Sequence, residues 1–226
     1  MRTKTILLLV GGLVLALALL IVLLLVPVRA SGEANVLVAQ TVSDTEDVKQ
    51  EETPMIETTR APLPSEPSVS TVTFPTTDDL TITADLYWTG DANAPFILLF
   101  HQADYSRGEY LEIAPKLNAL GYNCLAIDQR SGGAVNGVKN DIYQAAKAAG
   151  LQTGYTQAYP DLQSALDYVE KTYLPDQLIV WGSSYSASLA LILASEHPNE
   201  ISAVLAFSPG EYFKLNGKQV SEYAAN

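Results

Sequence analysis

Histidine and cysteine are both scarce in this chain of 226 residues, which contains two histidines and one cysteine. A single cysteine excludes an intrachain disulfide, and Cys124 lies in an apolar run that predicts a small buried core residue. His101 and His197 are far apart in the sequence, and with one cysteine they form no cluster of metal-ligand type. No glycine-rich phosphate-binding motif is present either. The sequence therefore predicts no metal and no other cofactor.

Basic residues are also few: 13 Lys and Arg stand against 25 Asp and Glu, which gives a formal net charge of −12 at pH 7. Only the first thirty residues are net basic, through Arg2, Lys4 and Arg29. Binding to a phosphate backbone requires a Lys/Arg patch that neutralises phosphates, and the rest of the chain has none. We therefore expect no nucleic-acid partner.

One long uncharged apolar run is present, over residues 6–28, directly after the basic Arg2 and Lys4. Its length is sufficient to cross the hydrocarbon layer of a bilayer as a helix. The run predicts a signal anchor or transmembrane helix within residues 1–30, which makes a single-pass protein of the cell membrane with an extracytoplasmic domain. Residues 28–30 also resemble a signal peptidase site, so secretion after cleavage remains an alternative.

Residues 31–70 are rich in acidic residues, proline, serine and threonine, and they contain no sustained apolar periodicity. Such a composition is typical of a solvated linker. From Thr71 onward the sequence contains regular apolar runs, and residues 71–226 are predicted to form the folded domain.

Within this domain, apolar runs of strand length alternate with segments of helical periodicity. The strand-like runs lie at residues 72–74, 80–88, 96–100, 122–127, 177–181 and 202–207, with the first two predicted as an antiparallel pair. Alternation of this kind predicts an α/β fold with a mainly parallel sheet and helices on both faces. Residues 134–159 are less regular, apart from a short helix predicted at 141–149, and we expect them to form a lid over the site.

The sequence Gly-Ser-Ser-Tyr-Ser at residues 182–186 stands between a predicted strand and a predicted helix. A serine nucleophile on a sharp strand-to-helix turn needs small residues two positions before and two positions after it, which Gly182 and Ser186 provide. Ser184 is therefore the candidate nucleophile. The simpler interpretation is that Ser184 is an ordinary helix N-cap.

From Thr71 onward the chain resembles the α/β-hydrolase superfamily, and its esterase-like and dienelactone-hydrolase-like members in particular. The motif at residues 182–186 resembles G-x-S-x-G, and residues 128–133 resemble the D-x-R-G-x-G turn of that superfamily. The resemblance implies an oxyanion hole formed by the backbone N–H groups of Gln102 and Tyr185. It also implies that Asp128 and Arg130 hold their turn.

The sequence departs from the superfamily where the catalytic base is expected. No histidine follows His197, so the triad histidine has no counterpart, and the sheet is predicted to be incomplete at its C-terminal edge. Glu211, after the last predicted strand, is the candidate acid. His101 and Tyr105 are candidate substrate-binding residues, with His101 expected to shape the oxyanion loop rather than act as the base.

Together these features predict an extracytoplasmic, membrane-anchored serine hydrolase that cleaves a small-molecule acyl substrate of the carboxylic-ester type through Ser184. The chain as given is expected to be catalytically incomplete, because it lacks the base. The alternative is a non-catalytic binding or scaffold module that keeps the hydrolase fold. Protein partners cannot be read from the sequence.

Overall fold

The computed structural model describes residues 63–224, in which strands and helices alternate along the chain. The strands are β1 (Ser68–Pro75), β2 (Thr81–Trp88), β3 (Phe96–Phe100), β4 (Asn123–Ile127), β5 (Ala134–Val135), β6 (Val138–Lys139), β7 (Leu178–Ser183) and β8 (Ala203–Phe207). The α-helices are α1 (Ala114–Ala119), α2 (Asp141–Ala148), α3 (Tyr159–Tyr173), α4 (Tyr185–Glu196) and α5 (Val220–Ala224), with short 3-10 helices at Arg107–Tyr110 and Thr156–Ala158.

Six of these strands form one sheet in the order β1-β2-β4-β3-β7-β8. β1, β2 and β4 are neighbours in antiparallel pairs, and β4, β3, β7 and β8 run parallel to one another. Every residue of β3 and of β4 is buried, as expected for central strands covered on both faces. The predicted mainly parallel α/β fold is therefore what the structure contains.

Helices cover both faces of this sheet. Leu98 of β3 and Val180 of β7 share one core with Leu162 of α3 and Leu189 of α4. Leu117 of α1 is buried outside that core, and its helix packs against β4 and β2. Because alternate residues of a strand point to opposite faces, both sets of contacts come from the same central strands.

The turn after β4 is held by ion pairs, as the sequence predicts. The Arg130 guanidinium forms hydrogen bonds with Asp161 of α3 and with Asp78 in the β1–β2 turn. Arg130 lowers the pKa of the Asp78 carboxyl to about 2. Asp128 accepts hydrogen bonds from the Arg107 side chain at 2.7 Å and from the Arg107 backbone N–H at 2.8 Å.

Two expectations from the sequence differ from the structure, namely the start of the folded domain and the lid. β1 begins at Ser68, and the Trp88 indole N–H donates to the Pro64 carbonyl oxygen at 2.7 Å, so the folded domain starts inside the predicted linker. The segment predicted as a lid is anchored in the fold, since Ile142 and Ala146 of α2 belong to the core. Sequence periodicity detects the helix but not the core residues that it meets.

Within residues 63–224 the structure has no helix that is both long enough and apolar enough to cross a bilayer. The predicted membrane anchor at residues 6–28 and most of the predicted linker lie outside the described residues.

Residues 182–186, which we call the elbow, connect β7 to α4. They are also hydrogen-bonded to the end of β3. Ser186 donates its hydroxyl hydrogen within a group of three carbonyl oxygens, those of Phe100, His101 and Ser183, at 2.7 to 2.9 Å. The same hydroxyl oxygen accepts from the Ser183 N–H at 3.2 Å. A Cβ at Gly182 would lie 2.4 Å from the Ser186 carbonyl oxygen and 2.5 Å from the Cα of Ala187. The elbow therefore requires a glycine at 182 and benefits from a hydroxyl at 186.

β8 is an edge strand of the described sheet, because β7 is its one neighbour there. All five of its residues are half-buried, whereas the residues of β3 and β4 are fully buried. The Phe207 ring stacks on Trp181 of β7 with a centroid distance of 4.5 Å. A flat apolar edge of this kind can pair with a strand of another chain.

Substitution of Ser186 by alanine should lower the free energy of unfolding by about 1–3 kcal/mol, because it removes a buried hydroxyl and its hydrogen bonds. Urea denaturation with a fixed m-value measures this change. Ser195→Ala is the matched control: Ser195 lies on the same helix and bonds only to Ile192 within that helix. We expect a change below about 0.5 kcal/mol for Ser195→Ala, and an equal loss in both variants would contradict the prediction.

We expect residues 63–226, expressed alone, to self-associate through β8. Sedimentation velocity should show oligomers whose fraction rises with protein concentration, and lysine at the edge position Leu205 should reduce that fraction. A monomeric protein with a reversible two-state thermal transition would contradict this prediction.

Candidate functional site

Ser184 adopts a backbone conformation that few non-glycine residues adopt. It lies between β7 and α4 with φ 57° and ψ −122°. Its N–H donates to the carbonyl oxygen of Phe207 at 2.8 Å, and its carbonyl oxygen accepts from the N–H of Ala187 at 3.0 Å. Strained backbone of this kind persists only where the surroundings hold it, and it is concentrated at functional sites. The predicted strand-to-helix turn is therefore present, with Ser184 at its apex.

The side chain of Ser184 does not cap the helix that follows it. The residue occupies the N-cap position of α4, but its hydroxyl makes no capping hydrogen bond. Ser184 is half-exposed, and no other described residue bonds to its hydroxyl. The hydroxyl lies at the N-terminus of a 12-residue helix, where the helix dipole favours negative charge. The N-cap interpretation of Ser184 thus fails for its side chain.

The two predicted oxyanion donors belong to neighbouring segments. The N–H of Tyr185 lies in the first turn of α4, where backbone N–H groups have no partner within the helix. Gln102 follows β3, and β3 pairs with β7 so that Phe100 lies opposite Gly182. The Gln102 N–H is already engaged, since it donates to the Glu109 carboxylate at 2.7 Å. Whether both groups serve one oxyanion stays a prediction.

His101 is fully buried, and neither ring nitrogen is available to a substrate. The Nε2 atom accepts from the Gln129 N–H at 2.9 Å, and Nδ1 lies 2.7 Å from the Gln102 carbonyl oxygen. These contacts assign the proton to Nδ1 in a neutral ring. Burial lowers the pKa of His101 to about 4. The expectation that His101 contacts substrate is therefore corrected: the ring packs under the oxyanion loop and fixes its position.

Asn140 completes the contacts of this buried histidine. Its side-chain amide donates to the Gln129 carbonyl oxygen at 2.8 Å and to the Tyr105 carbonyl oxygen at 3.1 Å, and it lies 3.2 Å from the His101 ring. Its carbonyl oxygen accepts from the Tyr143 N–H, which caps α2. Sequence reasoning missed Asn140, although an asparagine directly before a predicted helix is a recognisable N-cap signal.

Tyr185 is covered by Tyr155, which belongs to a small cluster of aromatic side chains from two loops. The Tyr155 ring stacks on the Tyr185 ring at a centroid distance of 4.6 Å, and Tyr212 and Phe213 meet Tyr155 edge-on. The Tyr185 hydroxyl accepts from the Gln129 side-chain amide at 3.0 Å. Tyr105 is half-buried, and its contact with a substrate stays a prediction. Sequence reasoning missed the position of Tyr155 beside the elbow, because α3 and β7 separate the two along the chain.

Glu211, the candidate acid, does not form a hydrogen bond with a histidine in the described part of the chain. Its two carboxylate oxygens accept from the N–H groups of Val220 and Ser221 at 2.7 and 2.8 Å, which caps the start of α5. Hydrogen bonds from Ser221 lower the pKa of Glu211. His197 lies at the opposite end of α4 from Ser184. The described residues thus contain no histidine placed to accept the Ser184 proton, and the capping role replaces the predicted one for Glu211.

Over residues 63–224 no group of three or more His, Cys, Asp or Glu side chains is arranged to hold a metal ion. Cys124 is buried in β4, and burial raises the pKa of its thiol.

Comparison with known proteins gives one family match. A family model described as serine aminopeptidase, S33, matches residues 92–225. No protein of curated function matches the chain. Among solved structures, an esterase of Pyrococcus furiosus is 21% identical, with 65% of this chain and 54% of that chain covered and a TM-score of 0.49.

Two further solved structures are similar at the same TM-score of 0.49. A dienelactone hydrolase from Anabaena variabilis is 18% identical, with 62% of each chain covered. A highly thermostable carboxyl esterase from Bacillus coagulans is 17% identical, with 61% of this chain and 43% of that chain covered. The chain thus spans between about two fifths and three fifths of the length of these structures.

The family match covers more than half of the chain, and it includes the elbow, the buried histidine and the loop after β3. The protein belongs to the serine aminopeptidase S33 family of α/β-hydrolases.

Proposed function

We propose that this protein is a serine hydrolase in which Ser184 accepts the acyl group of a small carboxylic-ester substrate. The observation that carries the proposal is the strained turn at Ser184, whose hydroxyl is half-exposed and unbonded at the N-terminus of α4. A serine used only for folding would gain nothing from that conformation, which costs on the order of 1–3 kcal/mol. Membership of a hydrolase family supports the same function.

In the proposed reaction the Ser184 oxygen attacks the ester carbonyl carbon while its proton passes to a base. The carbonyl oxygen gains negative charge, and the N–H groups of Tyr185 and Gln102 are the donors proposed to stabilise it. Collapse of the tetrahedral intermediate expels the alcohol and leaves an acyl group on Ser184. Water then hydrolyses this ester and releases the carboxylic acid.

Among the described residues, neither histidine is placed to act as the general base for Ser184. His101 is buried and bonded at both nitrogens, and His197 lies at the far end of α4. We propose that the base comes from a group outside the described residues. Loss of the histidine of a serine triad can cost on the order of 10⁶ in rate, so the described residues alone should react very slowly.

Labelling by a fluorophosphonate tests Ser184 as the nucleophile. The Ser184 oxygen forms a bond to phosphorus while fluoride leaves, and imidazole in the buffer can serve as an external base. We expect slow labelling that rises at least severalfold with imidazole and that mass spectrometry places on Ser184. Ser184→Ala should abolish it, and Ser195→Ala, in the last turn of α4, serves as the control with labelling retained.

A second candidate function is a binding module that keeps the hydrolase fold without catalysis, which is favoured by the lack of a base beside Ser184 among residues 63–224. The two candidates differ in the same experiment. If Ser184 stays unlabelled at high imidazole concentration, while thermal denaturation shows that the protein is folded, the binding module is the better account.

We further propose that residues 6–28 anchor the protein in the cell membrane with the hydrolase domain outside the cytoplasm. The apolar run and the preceding basic residues support this topology. The full chain should remain in the membrane pellet after an alkaline carbonate wash, and a variant that lacks residues 1–30 should not. A shortened protein that lacks the first thirty residues, recovered in the soluble fraction, would support the alternative of a cleaved, secreted protein.

A further inference from the structure

Glu109 lies where a substrate oxygen is proposed to bind. It belongs to the short helix Arg107–Tyr110, directly after the loop that carries Gln102. One carboxylate oxygen accepts from the Gln102 N–H at 2.7 Å, and the Ser183 hydroxyl also forms a hydrogen bond with the carboxylate. The carboxylate therefore bridges the oxyanion loop and the residue before Ser184.

This carboxylate has no cationic partner among the described residues. The nearby Arg107 forms ion pairs with Asp85 and Asp128, and no ion pair includes Glu109. The buried hydroxyls of Tyr110 and Tyr185 lie near enough to feel the Glu109 charge: burial raises their pKa well above 10, and Glu109 acts in the same direction. Burial also raises the pKa of Glu109, while the Gln102 and Ser183 hydrogen bonds act in the opposite direction.

A partly buried carboxylate without a cation is costly, so its position requires a reason. A carboxylate oxygen and a developing oxyanion are chemically alike: both are anionic acceptors for a backbone N–H. The Glu109 carboxylate thus resembles the group that the oxyanion hole is built to hold.

We propose that the Glu109 carboxylate is an internal occupant of the oxyanion site, and that a substrate carbonyl oxygen binds the Gln102 N–H only after Glu109 leaves it. The inference rests on the proposed function of Ser184. It makes Glu109 a positioning residue that keeps the site closed in the absence of substrate. Arg107 and Asp128 fix the backbone of the short helix, so opening requires rotation of the Glu109 side chain alone.

Acetate binding to the full-length protein tests this occupancy without any reaction at Ser184. With ¹⁵N-glutamine labelling, acetate should shift the Gln102 amide signal in Glu109→Ala, where the N–H is free, and not in the wild type. Glu109→Gln keeps an acceptor oxygen at the same place but loses the negative charge, so its acetate response should fall between those of the wild type and Glu109→Ala. Glu112→Ala, an exposed glutamate close by in sequence, is the matched control and should behave as the wild type.

Labelling by the fluorophosphonate gives the second readout. Loss of one oxyanion donor costs about 10²–10³ in rate, so Glu109→Ala should label faster than the wild type by up to about 10²-fold. This advantage should shrink as the pH falls through the pKa of Glu109, since a protonated carboxyl is a weaker acceptor. The labelling ratio of Glu109→Ala to Glu109→Gln should show no such pH dependence, because neither variant carries the Glu109 carboxyl, whereas Glu112→Ala should follow the wild type.

The two readouts separate the two proposals. An equal acetate response in the wild type and in Glu109→Ala, or none in Glu109→Ala, would overturn the occupancy of the site by Glu109. A larger acetate response in Glu109→Gln than in Glu109→Ala would also overturn it, because removal of the acceptor oxygen would then not be what opens the site. Slower labelling of Glu109→Ala would identify Glu109 as a base instead. Failure of Ser184 to label in every variant, with the acetate response as expected, would reject only the hydrolase function.

Discussion

The positive φ of Ser184 is the constraint on which the rest of the site depends. At that position the chain turns from β7 into α4 without a loop, which exposes one hydroxyl at the sheet edge where parallel strands end. The conformation is unfavourable in itself and must be held by neighbours. Gly182 permits the close approach of the helix, the Ser186 hydroxyl donates its one hydrogen within a group of three carbonyl oxygens, and the Phe207 carbonyl oxygen of β8 accepts from the Ser184 N–H.

Polar side chains buried beneath the site have a structural role, although their residue types are also found in catalytic sites. His101 has the residue type of a general base, but its ring is neutral, buried and bonded at both nitrogens. Asn140 holds the same loop from α2. Buried hydrogen-bond networks of this kind rigidify a structure. They place the Gln102 N–H beside the elbow, and Glu109 meets that N–H from the next helix.

The described residues therefore contain some of the groups that a serine hydrolase needs, but not all of them. They supply a candidate nucleophile, backbone donors and a helix N-terminus, but no histidine placed to accept a proton from Ser184. Glu211 is engaged in capping α5, and His197 lies at the far end of α4. A serine hydroxyl without a base is a weak nucleophile, so position alone does not make an active enzyme.

The sequence by itself determined the sheet, its parallel centre and the turn at Ser184, because apolar periodicity and small residues act over short distances along the chain. It could not determine that Ser186 bonds to β3, that Glu109 meets Gln102 or that Tyr155 stacks on Tyr185. It also assigned His101 to substrate and Glu211 to catalysis. These contacts join residues that are distant in sequence or that compete for the same partner, and only the packing of helices on the sheet decides which side chains meet and which remain free.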